Sequence, residues 1–320
     1  MKNLLAVLLV ILLGSVSVAQ GEKEAVPKKI SPSKKVVYKK TKQGDLELHI
    51  FLPEDHKATD TRGAIVFFFG GGWVGGSPSQ FYEQSKTLAE KGMVAVSAEY
   101  RIKTKHKTTP FQCVSDGKSA VRWLKEHAGQ WGIDRNRIVA AGGSAGGHVA
   151  ACTGMIQGFE EEHSDFSSIP SAMILFNPVL DTTAKGYGAK KFKSEQEQRS
   201  LSPCHNVRAG IVPTILFHGT GDTTVPHENA ERFAKLMTEA GNDCTLKSYK
   251  DRGHGFFNGK YFRKKLKDDS DYQSTMAETI KFLDDNGFLE KEAPAPSAAE
   301  LQELSGKSAE GVGAGEPVER

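Results

Sequence analysis

Three polar residues of this chain have types and settings suited to nucleophilic catalysis: Ser144, Asp222 and His254. Ser144 lies in Arg137-Ile-Val-Ala-Ala-Gly-Gly-Ser-Ala-Gly-Gly147, an apolar strand pattern that runs through a glycine-flanked serine into a helix pattern. A serine on so tight a strand-to-helix turn exposes its hydroxyl at the C-terminal edge of a sheet, and the flanking glycines leave room for the turn and a substrate. The pentapeptide Gly142-x-Ser144-x-Gly146 is weak by itself, so its partners decide what it means. His254 stands between two glycines just past the last strand pattern, poorly placed for core packing and well placed to reach across a sheet edge. Asp222 follows Gly219-Thr-Gly and precedes a helix. It could simply cap that helix, or it could hold a histidine in one tautomer and stabilise the imidazolium. A third glycine run, Phe69-Gly-Gly-Gly-Trp73, ends another strand pattern. Such a run lets several backbone N–H groups turn toward one point, as a developing oxyanion requires, and Ala145 adds an N–H at a helix start.

The elements that must position these residues are read from hydrophobic pattern and turn chemistry. Val36 to Thr41 and Leu46 to Phe51 read as an antiparallel hairpin across a Gln-Gly-Asp turn. Ala64 to Phe69, Met93 to Ala98, Ile138 to Ala141, Ala172 to Phe176, Thr214 to His218 and Thr245 to Tyr249 read as six buried strands. Helices are expected over Gln80 to Lys91, Pro110 to His127, Gly147 to Met155, Glu228 to Ala240 and Tyr272 to Asn286. Strands alternating with helices imply right-handed crossovers and a mostly parallel sheet of about eight strands, covered on both faces. Ligands of such a sheet bind beyond the C-terminal ends of its strands, where all four motifs fall.

The composition of the 320-residue chain, 38% hydrophobic and 25% charged, is that of a globular protein, and a net charge of +3 argues against nucleic acid as a partner. Residues 1–19 read as a signal peptide: Lys2, the apolar run Leu4 to Leu13, and small residues Ser17-Val18-Ala19 for cleavage. The run is short for a span, so the expectation is export to a secreted or periplasmic location without stable membrane insertion. Residues 20–35 read as a polar surface segment, 36–290 as the folded domain with a cap insertion at 181–211, and 291–320 as a disordered tail rich in Ala, Pro, Gly, Ser and Glu. Cys113, Cys152, Cys204 and Cys244 match no zinc spacing; an exported chain admits a disulfide, but buried free thiols are favoured.

The order Ser144, Asp222, His254 is that of an α/β-hydrolase. From Val36 to Leu289 the chain resembles that superfamily, in its hormone-sensitive-lipase-like and bacterial carbohydrate-esterase (acetyl xylan or feruloyl esterase-like) branch. The resemblance rests on Phe-Phe-Phe-Gly-Gly-Gly-Trp73, Ala98-Glu-Tyr-Arg101, Gly142-Gly-Ser-Ala-Gly-Gly147, Asn177-Pro-Val, Gly219-Thr-Gly-Asp222 and Gly253-His-Gly-Phe256. It implies a Ser144–His254–Asp222 triad, oxyanion donors at Gly71, Gly72 and Ala145, and acyl transfer that needs no metal or organic cofactor. Phe69 departs from the family, which usually has a histidine there to shape the glycine loop. Asp181 is the alternative acid, one strand early. Asp116, Glu99 and Arg101 read as a polar network under the site, and His148, His205, His218 and His227 as neighbours to check. Trp73 could stack on a sugar ring or pack the glycine loop.

The cap carries Lys185, Lys190, Lys191, Lys193 and Arg199 and shows little apolar face, unlike a lipase lid. A short acyl group on a hydrophilic alcohol is therefore expected, with an acetylated or feruloylated carbohydrate as the ester. The rival readings are a serine exopeptidase or lactone-type hydrolase on the same fold, and a binding protein without catalysis.

Overall fold

The central strands carry nearly unbroken apolar runs because both of their faces are covered. Along the third strand Ala64, Val66 and Phe68 join one core cluster, whereas Ile65 and Phe67 join the other. Those two clusters lie on opposite faces of one eight-stranded sheet in a computed structural model that describes residues 29–290. The predicted signal peptide, the tail and residues 20–28 of the surface segment fall outside the described residues.

The strands are β1 (Lys34–Thr41), β2 (Gly44–Phe51), β3 (Arg62–Phe68), β4 (Val94–Ala98), β5 (Ile133–Gly143), β6 (Ala172–Phe176), β7 (Thr214–Gly219) and β8 (Cys244–Tyr249), in the order β1-β2-β4-β3-β5-β6-β7-β8. β1 and β2 pair antiparallel with each other, and β2 antiparallel with β4; every other pairing is parallel. The helices are α1 (Tyr82–Ala89), α2 (Lys103–His106), α3 (Pro110–Glu126), α4 (Ala145–Met155), α5 (Glu195–Ser200), α6 (His227–Glu239) and α7 (Ser270–Asp285). Side chains of α3, α4 and α6 fill one core cluster; those of α1 and α7 fill the other. α3 starts where its chemistry dictates, with Pro110 in the first turn and a reciprocal Thr109–Gln112 capping box.

Several boundaries depart from the pattern reading. β2 begins at Gly44, so the hairpin turns at Lys42-Gln43 and not at Gln-Gly-Asp. β5 is longer than its apolar stretch at both ends, because its polar start from Ile133 runs at the rim beside Arg62. The cap at 181–211 does not stand alone after Ser144: residues 156–171 and 250–269 also run without a helix or strand. Nor is the cap purely polar, since Phe192, Leu201 and Cys204 are buried in the core and anchor it. All four cysteines are free thiols.

Candidate active site

Strand β5 delivers Ser144 at the junction with α4, with φ 55 and ψ −122. For a residue with a side chain that is a sparsely populated conformation, costing on the order of 1–3 kcal/mol. Neighbouring elements hold it: Ser144 N–H donates to Phe176 O at the end of β6 (2.9 Å), and Val179 N–H donates to Ser144 O (3.2 Å). Both flanking glycines are sterically required. A Cβ on Gly146 would collide with Phe68 O and Phe69 O, and one on Gly142 would stand 2.7 Å from Phe68 O. Gly146→Ala should therefore destabilise the protein by about 3 kcal/mol; urea unfolding of the purified variant measures this.

Asp222, from the loop after β7, and His254, from the loop after β8, meet Ser144 at the ends of the parallel strands. His254 Nε2 is 2.9 Å from Ser144 Oγ, and His254 Nδ1 is 2.7 Å from Asp222 Oδ2. The other carboxylate oxygen accepts N–H bonds from Thr224 and Val225, both at 2.9 Å. Buried His218 places Nε2 3.3 Å from Asp222 Oδ2 and 3.0 Å from Val225 O. Burial by itself would raise the Asp222 carboxyl, but the hydrogen bonds of His218, His254 and Val225 outweigh it and hold the group well below the usual carboxylate range. Asp222 is thus an anion fixed against one imidazole nitrogen, and the other nitrogen faces the serine hydroxyl.

The glycine run after β3 supplies the facing wall. Gly71 (φ 127) and Gly72 (φ 61) take left-handed conformations, and Trp73 follows at φ 60. Among the described residues the N–H groups of Gly71, Gly72 and Ala145 donate no hydrogen bond, and Ala145 opens α4 directly after Ser144. Gly70 brings the run against Ser144, since a Cβ there would stand 3.2 Å from the serine Cβ, and unengaged donors so near the serine suit a developing oxyanion, with the α4 N-terminus adding its dipole.

Known proteins resemble this chain in sequence and in fold. Residues 48–185 match the BD-FAE family and residues 171–284 the Dienelactone hydrolase family. Esterase 2 of Thermogutta terrifontis, solved phosphoramylated by tabun, is 44% identical; the match covers 84% of this chain and 100% of that one, with a TM-score of 0.77. Further structures of that esterase are described as propionate bound and as phosphorylated by paraoxon. The chain belongs to the α/β-hydrolase esterase family. Curated relatives include the acetylxylan esterase of Xylanibacter ruminicola, 26% identical over 72% of this chain and 48% of that protein. A probable isoprenylcysteine alpha-carbonyl methylesterase of Oryza sativa is 25% identical over 79% of this chain and 65% of that protein. The chain thus spans about half to two thirds of the length of these curated relatives.

Within this α/β-hydrolase frame, Phe69, where the resemblance implies a histidine, acts by packing. Its ring stacks on Tyr100 (4.2 Å between centroids), and Tyr100 Oη donates to Phe69 O at 2.6 Å, which holds the strand end that leads into the glycine run. Trp73 requires a correction. Its ring is 1% exposed, packed edge-on against His148 (5.0 Å) and tilted over Tyr187 (5.8 Å), so it props the glycine run and offers no face to a sugar. Tyr187, on the cap, instead brings its hydroxyl to the outer side of Gly72, 2.8 Å from where a Cβ would lie.

The alternative acid, Asp181, is engaged elsewhere: it pairs with Arg232 and accepts from Thr183 N–H. Of the four neighbouring histidines, His218 touches Asp222. His148 binds Leu201 O across the cap at 2.7 Å, His205 lies 4.0 Å from Asp181, and His227 bonds Ser248. Burial pushes His148 down to about 4. Asp116 sits fully buried between Arg101 and Lys39 (2.7 and 2.9 Å), and its carboxylate is engaged there. Glu99 lies apart from that pair, with its carboxylate on Glu47 N–H.

One pair had no sequence signal. Gln80 Oε1 accepts Gly70 N–H at 2.6 Å, and Gln80 Nε2 donates to Asn258 Oδ1 at 3.1 Å. Asn258 in turn donates to Gly255 O from its N–H and its side-chain amide. Glycine run and His254 loop are thereby clamped to one another. Gln80→Leu removes both bonds and should lower kcat by about 10- to 100-fold with little change in KM, because donors and base lose register; steady-state kinetics on 4-nitrophenyl acetate checks it.

Proposed function

We propose that this protein hydrolyses carboxylic esters of short acyl groups on hydrophilic alcohols, acylated carbohydrate foremost, by two-step acyl transfer outside the cytoplasm. The observation that carries the reading is the continuous Ser144 Oγ–His254–Asp222 hydrogen-bond chain opening onto three unengaged N–H donors. In the first step His254 Nε2 takes the hydroxyl proton as Ser144 Oγ bonds to the ester carbon. Negative charge on the former carbonyl oxygen is met by the N–H groups of Gly71, Gly72 and Ala145. A single such donor is worth on the order of 10²–10³ in rate. The tetrahedral adduct collapses, His254 protonates the departing alcohol, and water repeats the sequence against the acyl-enzyme.

Support for a short acyl group comes from the propionate-bound esterase 2 of Thermogutta terrifontis, and support for carbohydrate from the acetylxylan esterase of Xylanibacter ruminicola. The basic cap agrees with a polar alcohol. The Dienelactone hydrolase match over residues 171–284 favours a lactone as the second reading. Export is proposed from Lys2, the Leu4 to Leu13 run and Ala19; cell fractionation with N-terminal sequencing of the mature chain tests it.

The deciding experiment is a panel of 4-nitrophenyl esters from acetate to decanoate, beside acetylated xylan, feruloyl sugars and a simple lactone. A steep fall beyond butyrate with release of acetate from xylan is expected. Preference for decanoate would overturn the short-acyl reading, and a lactone turned over far faster than any ester would replace it with the second.

A further inference from the structure

We propose that Glu47, His49 and Glu99 form a site for one divalent transition-metal cation, apart from the triad. Glu47 and His49 are two residues apart on β2 and so point to one side of the sheet. The antiparallel pairing of His49 with Ser97 brings Glu99, just past the end of β4, beside them. One donor atom from each residue lies within 4.8 Å of the other two. His49 Nε2 stands 3.5 Å from Glu47 Oε2, the separation of two ligands on one tetrahedral ion with bonds of about 2.1 Å.

A second and independent observation concerns the imidazole. His49 is only 5% exposed, yet its Nε2 makes no hydrogen bond; Glu47 Oε2 stands 3.5 Å away without supplying one. A buried polar atom left unpaired is costly in a folded protein. Its other ring nitrogen is held by Tyr82 Oη at 2.6 Å. That is the arrangement of a metal-ligating histidine, in which a partner on one nitrogen fixes the ring and leaves the other nitrogen's lone pair for the ion. Glu99 is also pre-positioned, its Oε2 accepting Glu47 N–H at 3.2 Å.

The donor set selects the ligand. One imidazole nitrogen with two carboxylates suits Zn²⁺ or a similar first-row ion, and water would complete the coordination. The two carboxylates are partly exposed and can close on an ion by side-chain rotation. Lys35, 3.6 Å from Glu47 and half exposed, can swing into solvent. Because the three ligands come from β2 and the end of β4, and Tyr82 from α1, a bound ion would tie the edge hairpin to the helix behind it. Its expected effect is on stability, with the ester chemistry left to Ser144.

Calorimetric titration of the tag-free full chain with Zn²⁺, paired with thermal unfolding, tests the site. Saturable one-to-one binding is expected, with a rise in Tm of about 5 °C near a hundredfold excess over Kd. Glu99→Gln, which keeps the acceptor for Glu47 N–H, should weaken binding at least 10-fold, and His49→Gln should do the same. No binding up to about 100 μM Zn²⁺ overturns the proposal. So does undiminished binding by Glu99→Gln, which does not depend on the buried histidine. Binding that disappears instead in His254→Ala would place the ion at the triad and equally overturn it.

Discussion

Ser144→Ala is expected to lower kcat/KM by about 10⁵- to 10⁶-fold, because among the described residues no other nucleophile hydrogen-bonds His254 Nε2 to form the acyl-enzyme. The same position should report the strain of its turn. Alanine must keep φ near 55 and ψ near −122, a conformation that only glycine adopts freely. Relief of ~1–3 kcal/mol of backbone strain, less ~0.5–1 kcal/mol for the freer unfolded glycine chain, leaves Ser144→Gly about 1 kcal/mol more stable than Ser144→Ala. Urea unfolding of the two variants side by side measures the difference. Equal stabilities would mean that the turn stores no strain, and a Ser144→Ala enzyme with a tenth of wild-type activity would remove Ser144 from the chemistry.

Asp222→Asn should cost about 10⁴-fold in kcat while leaving the fold intact. The asparagine oxygen can still accept from Thr224 and Val225, which Asp222 Oδ1 accepts from now. Its amide nitrogen, placed where Oδ2 faces His254 Nδ1, would donate to that atom and force the proton onto Nε2. Nε2 then points a hydrogen at Ser144 Oγ and cannot take its proton. His218 would not substitute, since its Nε2 already faces Val225 O. The kinetics should be read beside near-UV circular dichroism and Tm, which are expected to change little. Asp181 provides the contrast: its carboxylate serves Arg232 and Thr183, so Asp181→Asn should affect cap stability far more than the chemical step.

These two predictions draw on residues legible in the chain itself. Continuous apolar runs such as Ile65 to Phe68 and Ala172 to Phe176 have one stable use in a polar-rich chain of this size, as strands covered on both faces. The strand-end glycines were legible for a related reason, because side chains there would collide with neighbouring backbone. Gln80 and Asn258 were not legible. They are 178 residues apart, Gln80 in the short 3-10 helix before α1 and Asn258 in the loop after His254, and each is an ordinary polar residue. Trp73 was ambiguous for a different reason: sequence shows an aromatic beside a glycine run, but whether its face is open depends on His148 from α4 and Tyr187 from the cap. The cap's buried anchors, Phe192 and Leu201, were hidden among lysines because short helices with few apolar residues have no usable period.

The chain by itself determined the fold class, the strands whose ends carry function, and the serine, aspartate and histidine in their order, because each depends on local pattern or on a glycine that local geometry demands. Tertiary structure decided the rest: that Asp222 rather than Asp181 faces His254, that Trp73 is a prop, that Gln80 clamps the glycine run to the histidine loop, and that Glu47, His49 and Glu99 converge. The physical reason is common to all four. Each depends on which side chains two crossovers bring within a few ångströms, and that distance follows from register and packing across the sheet, which no spacing along the chain records.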